Sequence, residues 1–133
     1  MTTESQEKLP QLLLELGYLS MRTGSLPEAR SFLDAAQALR PADPAPGMFI
    51  GMWHFAQGQY ADAERGYRQV LQQHQDHDLT LAYLAEALIA QKRWPEAEAA
   101  LNSVVQGNRD PSAVVFAKEL LSGLRTGLFQ HAG

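Results

Sequence analysis

Histidine and aspartate crowd one short stretch of the chain, at His74, Asp76, His77 and Asp78. Histidines three apart can present two imidazoles on one helical face, as zinc-type sites require. The surrounding Gln72–Asp78 stretch is polar throughout, however, and reads as a solvated turn between apolar segments rather than as a metal centre. Glu96 and Glu98 read as neighbours on a wet helix face rather than as an acid/base pair. With no Gly-x-Ser-x-Gly elbow, no Ser-His-Asp set can be assembled from a recognisable nucleophile turn. No Gly-rich phosphate loop or dinucleotide fingerprint occurs either. The chain has no cysteine, which removes disulfides, thiolate zinc sites and a cysteine nucleophile together. The expectation is a protein that is not an enzyme, with no catalytic, cofactor-binding or metal-binding residue. His131 falls in a tail expected to fray.

Composition narrows the classes further. The 133 residues carry 11 Lys+Arg against 15 Asp+Glu, a net charge of −4. Without a run of Lys or Arg there is no electrostatic footprint for nucleic acid. Apolar residues make up 45% and charged residues 20%, as in ordinary globular chains. No apolar run approaches the roughly 20 residues that cross a bilayer, so membrane insertion is not expected. Met1–Lys8 is polar and shows no secretory pattern. These features predict a single cytoplasmic domain over residues 1–133.

Any site on such a chain must be positioned by its repeat. Gly24 and Gly58 are 34 residues apart, and the same offset carries Leu26 to Tyr60 to Trp94 and Glu28 to Asp62 to Glu96. It also carries Ala29 to Ala63 to Ala97, Leu33 to Tyr67 to Leu101, and Ala36 to Val70 to Val104. Upstream it joins Leu16, Ile50 and Leu84, then Gly17, Gly51 and Ala85. Apolar residues recur at helical spacing, as in Leu9, Leu12, Leu13, Leu16 and Leu19. Breaks are expected at Arg22–Ser25, Pro41–Pro46, Gln57–Gln59, His74–Asp78, Gln91–Arg93 and Gly107–Asp110. Pro27 and Pro95 each fall just inside a new helix, where the missing N–H costs nothing. Seven helices follow: two per repeat, then a closing helix from Pro111 to about Leu128 with Asp110 as its N-cap. Pro10 suggests that the first begins near Leu9, with Ser5 or Glu7 as alternative starts.

The pattern resembles the tetratricopeptide repeat family. The family's Leu-Gly, small, bulky and closing Pro positions appear as Leu16-Gly17, Ala29, Leu33 and Pro41, with Ile50-Gly51, Ala63 and Tyr67, then Leu84-Ala85, Ala97 and Leu101, in the later units. The family's first-helix tyrosine is replaced by Ser20, His54 and Leu88, so His54 reads as a semi-buried packing residue. The resemblance implies an all-α, right-handed superhelical solenoid of three hairpins, at about 10–43, 44–77 and 78–111, with a capping helix at about 111–129.

It also implies a concave groove lined by the first helix of each repeat. The groove positions expected to bind a partner are Leu14, Tyr18, Met21, Met48, Met52, Phe55, Leu79, Ala82, Tyr83, Glu86 and Ile89. Relatives that clamp a peptide's C-terminal carboxylate place Lys, Arg and Asn here. This chain offers Leu14, Tyr18, Met48, Met52, Ala82 and Glu86, with Arg22 the one cation. An apolar or amphipathic helix of a protein partner fits better. A large exposed apolar face also implies a partner or self-association, as a homo- or hetero-oligomer. Small acidic chains of about three such repeats resemble the export chaperones of bacterial type III secretion, which hold needle, translocator or apparatus subunits. The alternative is a generic scaffold, adaptor or regulator in a multiprotein assembly.

Overall fold

The computed structural model describes residues 3–129, which form seven α-helices and no strand. In order they are α1 (Thr3–Arg22), α2 (Leu26–Leu39), α3 (Pro44–Ala56), α4 (Tyr60–Gln73), α5 (Asp78–Ala90), α6 (Trp94–Gly107) and α7 (Pro111–Arg125). Antiparallel hairpins α1–α2, α3–α4 and α5–α6 stack side by side, and α7 closes the array against α5 and α6. The odd-numbered helices touch one another in sequence and form one layer, backed by α2, α4 and α6.

The 34-residue columns explain the hairpins. A Cβ on Gly17 would lie 2.7 Å from the Leu33 side chain, and one on Gly51 would overlap the Tyr67 ring. The third unit uses Ala85 and Leu101, both fully buried. Ala29, Ala63, Ala97, Leu33 and Tyr67 are likewise fully buried. Small residues on one helix thus admit bulky ones from its partner, at the packing density of a protein interior.

The first helix of each hairpin ends in the same way. Gly24, Gly58 and Lys92 take left-handed φ values of 84°, 75° and 63°. The next N–H then reaches back five residues, from Ser25 to the Ser20 carbonyl, Gln59 to His54 and Arg93 to Leu88, at 2.8–3.0 Å. This is a Schellman motif, and it satisfies carbonyls that a helix end would otherwise orphan. Entries to α3 and α7 are capped by side chains. Asp43 accepts from the Ala45 N–H at 2.9 Å, and Asp110 accepts from Ser112 and Ala113 at 3.0 and 3.4 Å.

Three boundaries differ from the sequence expectation. The first helix starts at Thr3 rather than near Leu9 and keeps Pro10 inside. Pro10 offers no N–H to the Gln6 carbonyl, and beside this interruption the Glu7 carbonyl accepts from the Arg40 guanidinium at 2.9 Å. The loop expected over Pro41–Pro46 closes by Asp43, since Pro44 and Pro46 occupy the first turn of α3, where N–H groups have no intrahelical acceptor. The closing helix ends at Arg125, short of Leu128. Gly127, at φ 73°, turns the chain so that the Phe129 ring folds onto Gly123.

The core has two parts. Leu14, Leu33, Ala36 and Ile50 form the smaller cluster, between α1, α2 and α3. The larger runs from Met48 through α4, α5 and α6 to Leu121 on α7, and Phe49 packs against both.

Candidate functional site

Position 18 of α1 corresponds, one and two repeats on, to Met52 of α3 and Glu86 of α5. Position 15 corresponds in the same way to Phe49 and Tyr83. These columns run across the layer of odd helices. Of the eleven expected groove residues, Tyr18 is 41% exposed, and Met21, Met52, Phe55, Leu79, Tyr83 and Glu86 are half-buried. Leu14, Met48, Ala82 and Ile89 are instead buried in the free chain and belong to the core. Each odd helix is flanked by other odd helices and backed by the second layer. Its apolar stripe is therefore wider than its open face, and part of that stripe is interior.

The accessible part is aromatic. Tyr18 meets Phe49 at 5.9 Å between ring centroids, and the Arg22 guanidinium sits 5.9 Å from the Tyr18 ring. Tyr83 lies between Tyr67 at 6.2 Å and Phe116 of α7 at 4.9 Å. Each odd helix thus contributes one ring: Tyr18, Phe49, Tyr83 and Phe116. Sequence reasoning assigned Phe116 no place in the site.

The site's charge is equally uneven. Glu86 is half-buried, and no hydrogen bond or ion pair from the described residues holds its carboxylate. Burial raises its pKa above the ordinary carboxylate value. Burial first, and then the Glu86 charge, raise the hydroxyls of Tyr67 and Tyr83 as well. The Tyr67 hydroxyl is fully enclosed and finds no partner among the described residues.

The other ionic groups hold repeats together. Glu64 accepts from Arg93 at 2.7 Å, Arg68 at 2.9 Å and Gln91 at 3.0 Å, which ties α4 to the turn before α6. Burial pushes the Glu64 pKa up, and these three donors more than offset it. Three of the residues first considered as metal ligands, Asp76, His77 and Asp78, are engaged elsewhere. Arg109 donates to both Asp78 oxygens at 2.7 and 3.1 Å and to Asp76 at 2.9 Å. His77 Nδ1 lies 2.7 Å from the Thr80 hydroxyl, and burial, then His74, hold the pKa of His77 down. Among the described residues no three metal-ligating side chains gather. His54 is half-buried and hydrogen-bonds Gln59 at 2.7 Å, while His131 lies outside the described residues. Trp53, unassigned from sequence, donates to the Leu26 carbonyl at 2.7 Å under the Arg30 guanidinium.

A polar cavity of about 480 Å³ lies between α2, α3 and α4. It is lined from α3 by Gly47, Ile50 and His54 rather than by Met48, Met52 or Phe55, so it lies apart from the aromatic row. Its arginines are already paired, Arg30 with Asp34 and Arg65 with Asp62. No helix among the described residues is long and apolar enough to cross a membrane.

Known proteins share this architecture. The structure superposes on the type III secretion translocator chaperone SycD of Yersinia enterocolitica with a TM-score of 0.74 at 20% identity, over 94% of this chain and 91% of that one. A second SycD structure, in complex with a peptide of the translocator YopD, gives 0.73 over 94% and 93%. The first tetratricopeptide domain of Spaghetti (RPAP3), bound to the HSP90 peptide SRMEEVD, gives 0.69 at 16% identity over 89% and 94%. In sequence, the chain is 44% identical over 72 residues to the TPR repeat-containing protein PA4667 of Pseudomonas aeruginosa. That match takes in 53% of this chain and only 12% of its relative. Tetratricopeptide repeat models match residues 5–44 and 54–119. With the 34-residue columns packed as helix hairpins, the chain belongs to the tetratricopeptide repeat family, a protein-binding fold.

Proposed function

We propose that this chain is a non-enzymatic protein chaperone, which sequesters an apolar or amphipathic helical segment of a partner on the face of α1, α3 and α5. The observation that carries this reading is the row of Tyr18, Met52, Phe55 and Tyr83, left accessible on one face and flanked by a carboxylate without a counter-ion. Aromatic and methionine side chains give large, adaptable contact area. A partner segment seated there removes apolar surface that is otherwise open to water.

A role as a cytoplasmic export chaperone for a needle, translocator or apparatus subunit of type III secretion is the form we favour. The likeness to SycD over nearly the whole chain supports it, as does the acidic charge. An acidic peptide such as SRMEEVD fits less well, since Glu86 stands where a cation would be needed. One observation favours an adaptor reading: the sequence relative uses its matching segment as 12% of a much longer chain.

Affinity capture from the source cytosol with cross-linking mass spectrometry distinguishes the two. A chaperone should recover one small partner near one to one, cross-linked to α1, α3 or α5, and Met52→Glu or Phe55→Glu should lose it with helicity unchanged. Several proteins retained by both variants would replace the chaperone with an adaptor that binds elsewhere.

A further inference from the structure

Among the described residues the sheltered carboxylates are satisfied one by one, with a single exception. Asp43 and Asp110 cap helices through backbone N–H groups. Asp62 pairs with Arg65, Glu64 with Arg68 and Arg93, and Asp78 with Arg109. Glu86 is half-buried like most of these and accepts nothing from the described residues. An exposed carboxylate is solvated by water. A half-buried one loses part of that hydration, and here no donor among the described residues replaces it.

The position makes the exception pointed. Glu86 occupies the column whose earlier members are Tyr18 and Met52, on the same helix as Tyr83 and close enough for its charge to act on that ring's hydroxyl. The Tyr67 hydroxyl, fully enclosed and also without a partner, lies on the ring stacked against Tyr83. Charge complementarity then specifies what best covers the spot. A neutral apolar segment would bury the carboxylate completely and leave it unpaired, whereas a cation would restore a charge-assisted hydrogen bond in a sheltered site.

Resting on the partner-binding reading above, we propose that the segment bound on this face is an apolar stretch of a protein bearing one lysine or arginine, whose cation seats on the Glu86 carboxylate. Glu86 then sets specificity and register, while Tyr18, Met52, Phe55 and Tyr83 provide contact area. A segment with an acidic residue at the same register is rejected by like charge.

A phage-displayed library of random 16-residue peptides, selected on the full chain, tests this. The wild type should enrich apolar peptides with Lys or Arg at one fixed position. Glu86→Lys should turn the enrichment at that position to Asp or Glu. Glu86→Gln, close in shape, should abolish the charge preference and weaken selected basic peptides at least tenfold, and it decides the matter if Glu86→Lys fails to fold by circular dichroism. The same residue classes recovered from wild type and Glu86→Gln would overturn the proposal. Peptides that bind Phe55→Glu as tightly as wild type, or no selected peptides at all, would instead remove the binding face itself, and the proposal with it.

Discussion

Tyr67 shows how a single residue can be indispensable in one part and costly in another. Its ring fills the space that Gly51 opens, but its hydroxyl is enclosed without a partner. A buried polar atom left unpaired costs on the order of 1–3 kcal/mol. Tyr67→Phe keeps the ring and removes the orphan, so denaturation in urea should show equal or greater stability, by up to about 1 kcal/mol. Gly51→Ala should do the reverse, losing on the order of 1–3 kcal/mol through overpacking against the same ring. Glu86 makes a prediction in pH. Its folded pKa is raised, so the folded state holds the proton more tightly than the unfolded one, and stability falls as pH rises from the ordinary carboxylate value through the folded pKa. Glu86→Gln should therefore melt higher than wild type at neutral pH, with the gap closing as pH drops through the raised folded pKa toward about 4.5, the ordinary value. An unchanged gap across that range would show that Glu86 is well solvated. Neither feature was legible beforehand. Tyr67 stood in a bulky column and Glu86 in a list of groove positions, and nothing in spacing tells which polar atom fails to find a partner.

At the level of the helix, the repeated termini allow a clean experiment. Gly24, Gly58 and Lys92 share one left-handed position, and only the third carries a Cβ. Left-handed backbone costs a residue with a Cβ about 1–2 kcal/mol. Space around Gly58 is open, so Gly58→Ala tests conformation without collision and should lose about 1 kcal/mol. Lys92→Gly should gain by about as much, read from the same urea transitions. Helix number, order and most boundaries were readable in the sequence because small and bulky residues recur in fixed columns and because prolines mark helix starts. Two of the three misread ends share a cause, since proline was read as a stop. Pro44 and Pro46 sit in a first turn that needs no N–H, and Pro10 is tolerated within a helix whose Glu7 carbonyl is taken by Arg40. Arg40 stands 33 residues from Glu7, and Arg109 31 residues from Asp78. Clamps of that kind follow no period and cannot be seen in one. The four groove positions that proved to be core, Leu14, Met48, Ala82 and Ile89, were misassigned for a different reason: one helical period serves both the inner and the outer part of a wide apolar stripe.

Across the whole molecule, stability is unevenly shared. In a stacked array each hairpin leans on its neighbours, so local opening begins where the fewest buried contacts must break. Four buried residues join α1 and α2 to α3, against the far larger cluster from α3 to α7. Hydrogen exchange should show α1 and α2 opening at lower free energy than α5 and α6, and uniform protection would mean that the clusters act as one. Removing the Arg109 side chain should shift that balance by leaving Asp78 buried without its bidentate partner, lowering protection at the start of α5 before it changes in α1. The two tryptophans divide along the same line. Trp53, bonded to the Leu26 carbonyl beneath Arg30, packs on the smaller cluster, and Trp94, at the head of α6, packs on the larger. The chain therefore carries one intrinsic fluorophore for each half of its core. Replacing either with phenylalanine leaves an optical reporter on the other, through which the two ends of the solenoid can be watched melting separately.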